Sequence, residues 1–385
     1  MIKLSNRVKL LPPYPFAALD KKKKALLDAG KDVINLSIGD PDLPTPLPIV
    51  KLMQEAVTRK ENHQYPPYTG TQTFREAAIR WMQKRFGVTL AVNETLGLIG
   101  TKEGIANIHY AFINPGDVVL CPSPGYPVYA NGTQFAGGEP YFLPLTKENN
   151  FHPDLQSIPT DILRRAKMLH INYPNNPTSA VTTVDFFRDV VSFAKKNDLI
   201  VCHDAAYSEI YFDNQKPVSF LKTPGAKEVG IEFHSLSKTF NMTGWRIGFA
   251  CGNPEIIFGL GKIKENVDSG QFAAVQEAGI FALEHESTLT PSIRAEYQKR
   301  RDLFIKTLNQ TGLEVIPPKA TFYVWMPLPK GETATGFADK LMEQCAIVAT
   351  PGTAFGRGGE GFIRFTLTAP SERLLEAAER IAKMV

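Results

Sequence analysis

The chain has 385 residues, 43% hydrophobic and 21% charged, which excludes a disordered polymer and exceeds what one core usually organises, so a large and a smaller domain are expected. Its 43 Lys and Arg against 39 Asp and Glu leave a formal charge of +4 scattered along the chain, so no nucleic-acid partner is expected. No apolar run approaches the ~18 residues of a membrane helix and no signal-peptide pattern opens the chain, so a soluble, cytoplasmic protein with no membrane partner is expected.

In chain order, the Pro-rich segment 11–15 leads into the run Lys21 to Lys24, which reads as the wet face of a helix. Residues 33–38 are strand-like and are expected to join the small domain or bridge the two. Short apolar runs at 96–99, 118–121, 168–171, 200–203, 231–234 and 247–250 are expected as buried strands. Helical patterns, such as 105–113 and 186–195, lie between most of them. This alternation argues for right-handed crossovers and a mostly parallel sheet sandwiched by helices.

After Gln271 the texture changes. Helical stretches run to about Asn309, followed by strands near 322–325 and 362–365, a helix near 336–344 and a last helix. The expected fold is therefore α/β, with a large domain over residues 45–280 and a smaller α+β domain made of residues 1–44 plus 281–385. Cys121, Cys202, Cys251 and Cys345 are far apart and show neither metal-ligand spacing nor a disulfide framework, so free thiols and no metal are expected.

In an α/β sheet, ligands bind beyond the carboxyl ends of the strands, so the residues after each apolar run carry the functional signal. After 231–234 comes Ser235-Leu236-Ser237-Lys238, where a desolvated lysine becomes a nucleophile toward an aldehyde. Asp204 follows 200–203 and can keep a pyridine nitrogen protonated, while Tyr207 and Asn176 can hydrogen-bond a ring oxygen. After 96–99, the turn Gly100-Thr101-Lys102-Glu103-Gly104 opens a helix and reads as a phosphate site, which Arg246 can complete by bidentate pairing. Tyr126 can stack on a cofactor ring, and Arg364 offers a fork for a carboxylate.

Singly, each has a plain structural explanation: a surface lysine, a helix-capping Asp, a packed Tyr. Jointly they supply every element that a phosphorylated pyridine aldehyde requires, each beyond a different strand. Gly356-Arg357-Gly358-Gly359-Glu360-Gly361 formally matches GxGxxG but precedes a strand-like run instead of following one, so it is expected to be a mobile loop beside the site.

These residues resemble the fold type I aminotransferases of class I/II over nearly the whole chain. Ser235-Leu236-Ser237-Lys238 with Gly244-Trp245-Arg246-Ile247-Gly248 looks like the family's lysine signature. The resemblance implies that Lys238 bonds pyridoxal 5'-phosphate, with Thr101, Lys102 and Arg246 at the phosphate and with Ser235 and Ser237, the hydroxyls flanking the lysine, among the cofactor-binding residues. It implies Asp204 at the ring nitrogen, Tyr207 and Asn176 at the ring oxygen, and Tyr126 stacked on the ring. Tyr65 looks like the tyrosine that family members lend to a partner's phosphate, implying a homodimer with shared active sites. Gly39 and Arg364 resemble the positions that hold the substrate α-carboxylate.

One departure is Ser179, where the family usually has glycine after Asn-Pro-Thr; it bears on the turn and not on the chemistry. Segments 11–17, 64–70 and 266–270 look most like the subgroup acting on LL-diaminopimelate, in which the counterparts of Tyr14 and Lys102 help hold the substrate beside Tyr126 and Asn176. The resemblance thus implies transamination between an amino acid and a 2-oxo acid, LL-diaminopimelate with 2-oxoglutarate and glutamate, in lysine biosynthesis. The alternatives are aspartate, alanine or aromatic amino acids as substrates, or a β-lyase on the same scaffold. A DNA-binding regulator built on this fold carries a basic N-terminal domain, for which the ten or so residues before the Pro-rich segment leave no room.

Overall fold

Twelve strands organise the computed structural model, which describes residues 2–11, 15–313 and 315–384. They are β1 (Ile34–Asn35), β2 (Thr95–Leu98), β3 (Val118–Ser123), β4 (Glu139–Pro144), β5 (Ala166–Asn172), β6 (Ile200–Asp204), β7 (Gly230–Ser235), β8 (Gly248–Gly252), β9 (Tyr323–Pro327), β10 (Ile347–Val348), β11 (Thr350–Pro351) and β12 (Phe362–Thr366). Seven form the central sheet in the order β2-β8-β7-β6-β5-β3-β4. The pairs β4–β3, β3–β5, β5–β6 and β6–β7 are parallel, whereas β8 runs antiparallel to both β7 and β2.

The strands are apolar on both faces because helices cover both. Along β3, Val118 and Leu120 enter one core while Val119 and Cys121 enter the other, the period-two alternation of a sheet buried on each side. Six of the seven strands lie at the apolar runs of the sequence. The seventh, β4, carries Pro140 and Pro144 at the sheet edge and is mostly solvent-facing. Proline is tolerated there because an edge strand leaves one row of N–H groups unpaired.

Helix boundaries follow local chemistry. Thr183 caps the helix Val184–Asn197 by accepting from Phe186 N, and Asp198 ends it in the left-handed region. Asn253 accepts from Glu255 N and Ile256 N, with Pro254 at the first position of the helix Pro254–Val267.

A second assembly contains the antiparallel sheet β11-β12-β9 and the parallel pair β1–β10. Ile34 thus sits opposite Ile347, so the N-terminal strand is tied to the C-terminal part of the chain. The last helix, Ser371–Ala382, buries Leu374, Ala377, Ala378 and Ile381, the i, i+3, i+4, i+7 spacing of one face. Those residues join Phe304, Leu308, Val324 and Phe365 in a core of their own.

Lys21 to Lys24 lie on the helix Pro15–Asp28, where Lys22 pairs with Asp339. The four cysteines are buried and free. The segment expected as a mobile loop is instead packed: two short helical turns, Gly352–Phe355 and Arg357–Gly359, bring backbones so close that a Cβ on Gly359 would lie 1.9 Å from Gly352 O. Gly358 N also donates to Ser123 Oγ at 3.2 Å. The glycines therefore serve close packing here, where the composition alone suggested looseness.

Candidate active site

β5, β6 and β7 run in parallel and end at Asn172, Asp204 and Ser235, so three loops emerge together at one edge of the sheet. They meet the loop after β1 and the strand β12 around a cavity of about 420 Å³. Gly39, Thr101, Lys102, Tyr126, Asn176, Asp204, Tyr207, Ser235, Ser237, Lys238, Arg246 and Arg364 all line it. Tyr65 does not: it follows the short helix Lys60–His63 and is 89% exposed. Tyr14 lies outside the described residues.

Lys238 sits in the helical turn Leu236–Thr239, which Ser235 caps by accepting from Ser237 N at 3.2 Å. Its Nζ donates to Gly39 O at 2.8 Å. Burial lowers its pKa to about 8; Asp40 opposes that shift, while Arg246 and Arg364 add to it. An amine held near pH 8 is neutral often enough to attack an aldehyde.

Asp204 is buried at the end of β6. It accepts from Tyr129 Oη at 2.9 Å and Ala206 N at 3.3 Å. Burial raises its pKa, and both hydrogen bonds work against that rise. Tyr207 Oη lies 2.8 Å from Tyr323 Oη, and the loop bearing Asn176 is pinned by Asn172, which accepts from Asn176 N at 2.7 Å.

At the opposite end, the helix Thr101–Phe112 starts after Gly100 without a side-chain cap. Gly100 has φ +96°, and a Cβ there would lie 2.4 Å from Arg246 Nη2. A missing side chain, a helix N-terminus and a guanidinium therefore converge on one spot, the arrangement an anion requires. Arg364, on β12, is almost fully buried. It donates to Asn176 Oδ1 at 2.8 Å and Ser37 O at 2.7 Å. Its guanidinium lies 4.1 Å from the ring centre of Tyr323 and 4.5 Å from that of Phe355.

Gly39 is glycine for a steric reason: a Cβ would fall 2.0 Å from Tyr323 Oη. Ser179, the departure from the family pattern, adopts φ +61° and donates from Oγ to Tyr323 O at 2.8 Å. The turn keeps the left-handed conformation in which glycine is the easier residue.

Tyr323, Phe355, Thr243, Asp40 and Asp20 also line the cavity. None stands out in sequence as a site residue. Tyr323 sits inside an apolar strand and Phe355 in the glycine-rich segment, where an aromatic reads as packing.

The donor set fits pyridoxal phosphate: an enclosed amine for the aldehyde, a carboxylate for the ring nitrogen, hydroxyl and amide groups for the ring oxygen, and a capless helix with Arg246 for the phosphate. The cavity volume falls in the range of small-ligand sites. Residues 31–381 match the sequence model of aminotransferase class I and II. The chain belongs to this family.

It is accordingly a pyridoxal-phosphate-dependent aminotransferase. It is 54% identical over 385 residues, covering all of both chains, to the LL-diaminopimelate aminotransferase of Aquifex aeolicus. It is 53% identical to the enzyme of that name from Syntrophobacter fumaroxidans, covering 99% of this chain and 98% of the relative. Among solved structures, substrate-bound BacF from Bacillus subtilis superposes with a TM-score of 0.96 at 38% identity, covering 100% of this chain and 98% of that one. A Thermus thermophilus aspartate aminotransferase mutant superposes with a TM-score of 0.93 at 29% identity, covering all of both. Among the described residues no helix is long and apolar enough to cross a membrane.

Proposed function

We propose that the enzyme exchanges the amino group between LL-diaminopimelate and 2-oxoglutarate, its physiological direction being synthesis of LL-diaminopimelate with glutamate as donor in lysine biosynthesis. The observation that carries this reading is the full-length identity of 54% and 53% to relatives bearing that activity in their names.

Pyridoxal phosphate, when bound, supplies an electron sink for the negative charge that develops at the substrate Cα. Lys238 would hold the cofactor through its aldehyde carbon and, as a free amine, would carry a proton between the substrate Cα and the cofactor C4′. Asp204 holds a proton at the ring nitrogen. Tyr207 and Asn176 hydrogen-bond the ring oxygen, and Tyr126 lies against the ring face. Thr101, Lys102, Ser235, Ser237 and Arg246 grip the phosphate. Arg364 and Gly39 bind the substrate α-carboxylate, which fits the fork of a buried guanidinium beside an open backbone. Tyr14, Lys102, Tyr126 and Asn176 contact the rest of the substrate.

The proposed assembly is a cytoplasmic homodimer in which Tyr65 reaches the partner's phosphate; its 89% exposure supports a role outside its own cavity. The proposed division is 45–280 against 1–44 plus 281–385, with residues 206–212 as the seam, since Tyr207, Ile210 and Phe212 pack into the smaller core.

Glutamate formation from 2-oxoglutarate with LL-diaminopimelate, aspartate, alanine or phenylalanine tests the substrate, and the first should give the highest kcat/KM. A higher value for another donor assigns that donor instead. Pyruvate and ammonia from a cystathionine-like substrate without a 2-oxo acid would mark a β-lyase.

A further inference from the structure

Tyr129 takes no part in the chemistry described so far, yet it is 1% exposed and its hydroxyl donates to Asp204 Oδ2 at 2.9 Å. It belongs to the helix Val128–Phe135, and it precedes Asp204 by 75 residues in sequence. Behind it stands a second buried pair. The Tyr129 ring stacks on His170, with centroids 4.8 Å apart and planes 16° from parallel, and His170 Nε2 lies 3.0 Å from His109 Nε2.

The tautomers of that pair follow from its partners. His109 Nδ1 faces Ala106 O at 3.3 Å, an acceptor, so Nδ1 carries the proton and Nε2 accepts. His170 must then donate from Nε2. Both rings are neutral, because burial lowers His109 to about 4 and moves His170 in the same direction. Helix packing fixes His109 in place: a Cβ on Gly132 would lie 2.5 Å from its Nδ1.

We propose that Tyr129 is a positioning residue for Asp204: its phenol keeps the carboxylate ionised and aimed at the pyridine nitrogen, and the neutral His170–His109 pair holds the phenol in register. This rests on the reading that Asp204 meets that nitrogen. A buried carboxylate without donors takes up a proton, and a neutral acid no longer favours a protonated ring. The titratable groups facing Asp204 are Tyr129, Tyr207, Tyr323, His203 and His234, and those facing Tyr129 are Asp204, Tyr126 and Tyr207 beside His170. Burial keeps the proton on the Tyr129 hydroxyl, so it is a permanent donor.

The test loads the enzyme with pyridoxal phosphate labelled with ¹⁵N in its ring and compares wild type with Tyr129→Phe, which keeps the ring stack and removes only the hydroxyl. The expected result is a ring-nitrogen resonance moved toward the unprotonated position, a cofactor Kd about tenfold higher, as for the loss of one charge-assisted hydrogen bond, and a lower kcat with little change in KM. An unchanged resonance together with a Kd within about twofold of wild type, on the same scale, overturns the proposal. If Tyr129→Phe does not fold, His170→Phe reads the same resonance: a smaller shift in the same direction supports the relay, and none overturns it. An unprotonated ring in the wild type would instead remove the reading of Asp204 on which the proposal stands.

Discussion

The hydroxyls of Ser179 and Thr321 lie 2.7 Å apart, and both residues are in the left-handed region, at φ +61° and +65°. They join the loop after β5 to the turn before β9, and Ser179 Oγ lies within 2.8 Å of Tyr323 O as well. The side chain thus offsets a backbone conformation that favours glycine. Ser179→Ala, which keeps the strain and loses the bonds, should cost about 1–3 kcal/mol. Ser179→Gly relieves the strain and should cost less. Urea unfolding of both variants checks this: a Ser179→Ala cost near zero would show that the hydrogen bonds contribute nothing, and equal costs for the two variants that the backbone is not strained there.

Lys238 should set the pH dependence of cofactor uptake. Its amine, lowered to about 8 by burial, is protonated below that pH and neutral above it. Only the neutral form attacks an aldehyde. Reconstitution of the apoenzyme should therefore quicken about tenfold per pH unit up to about 8 and then level off. Stopped-flow absorbance measures it, and a rate still climbing at pH 10 would mean an ordinary surface-like lysine.

Gly100→Ala places a Cβ 2.4 Å from Arg246 Nη2 at a φ of +96°. The backbone strain alone costs about 1–3 kcal/mol, and Arg246 must move off the turn. Cofactor Kd should rise at least about tenfold, the scale of one lost charge-assisted hydrogen bond, with the apoenzyme still folded. Equilibrium dialysis reads the affinity and circular dichroism the fold. Wild-type affinity would place the phosphate elsewhere.

Most of the central sheet was legible because strands buried on both faces become continuous apolar runs, and the cavity-lining residues because parallel strands deliver their following loops to one edge. Lys238, Asp204 and Asn176 each stand just beyond such a run. β4 was hidden by Pro140 and Pro144 at the edge. Tyr323 and Tyr129 were hidden differently: their rings pack as core residues, and only the hydroxyls reach the site, a distinction that exists in three dimensions alone. The glycine-rich segment 356–361 reads as a loose loop in sequence, and is packed instead, because composition does not separate freedom from close approach. Tyr65 is an exposed loop tyrosine in one chain, and nothing intramolecular assigns it.

The most direct test of the proposed activity is the absorption spectrum of the holoenzyme as LL-diaminopimelate and then 2-oxoglutarate are added. The predicted result is a visible cofactor band lost with the first and restored by the second. A band that ignores LL-diaminopimelate but responds to aspartate, alanine or an aromatic amino acid would contradict the proposed substrate.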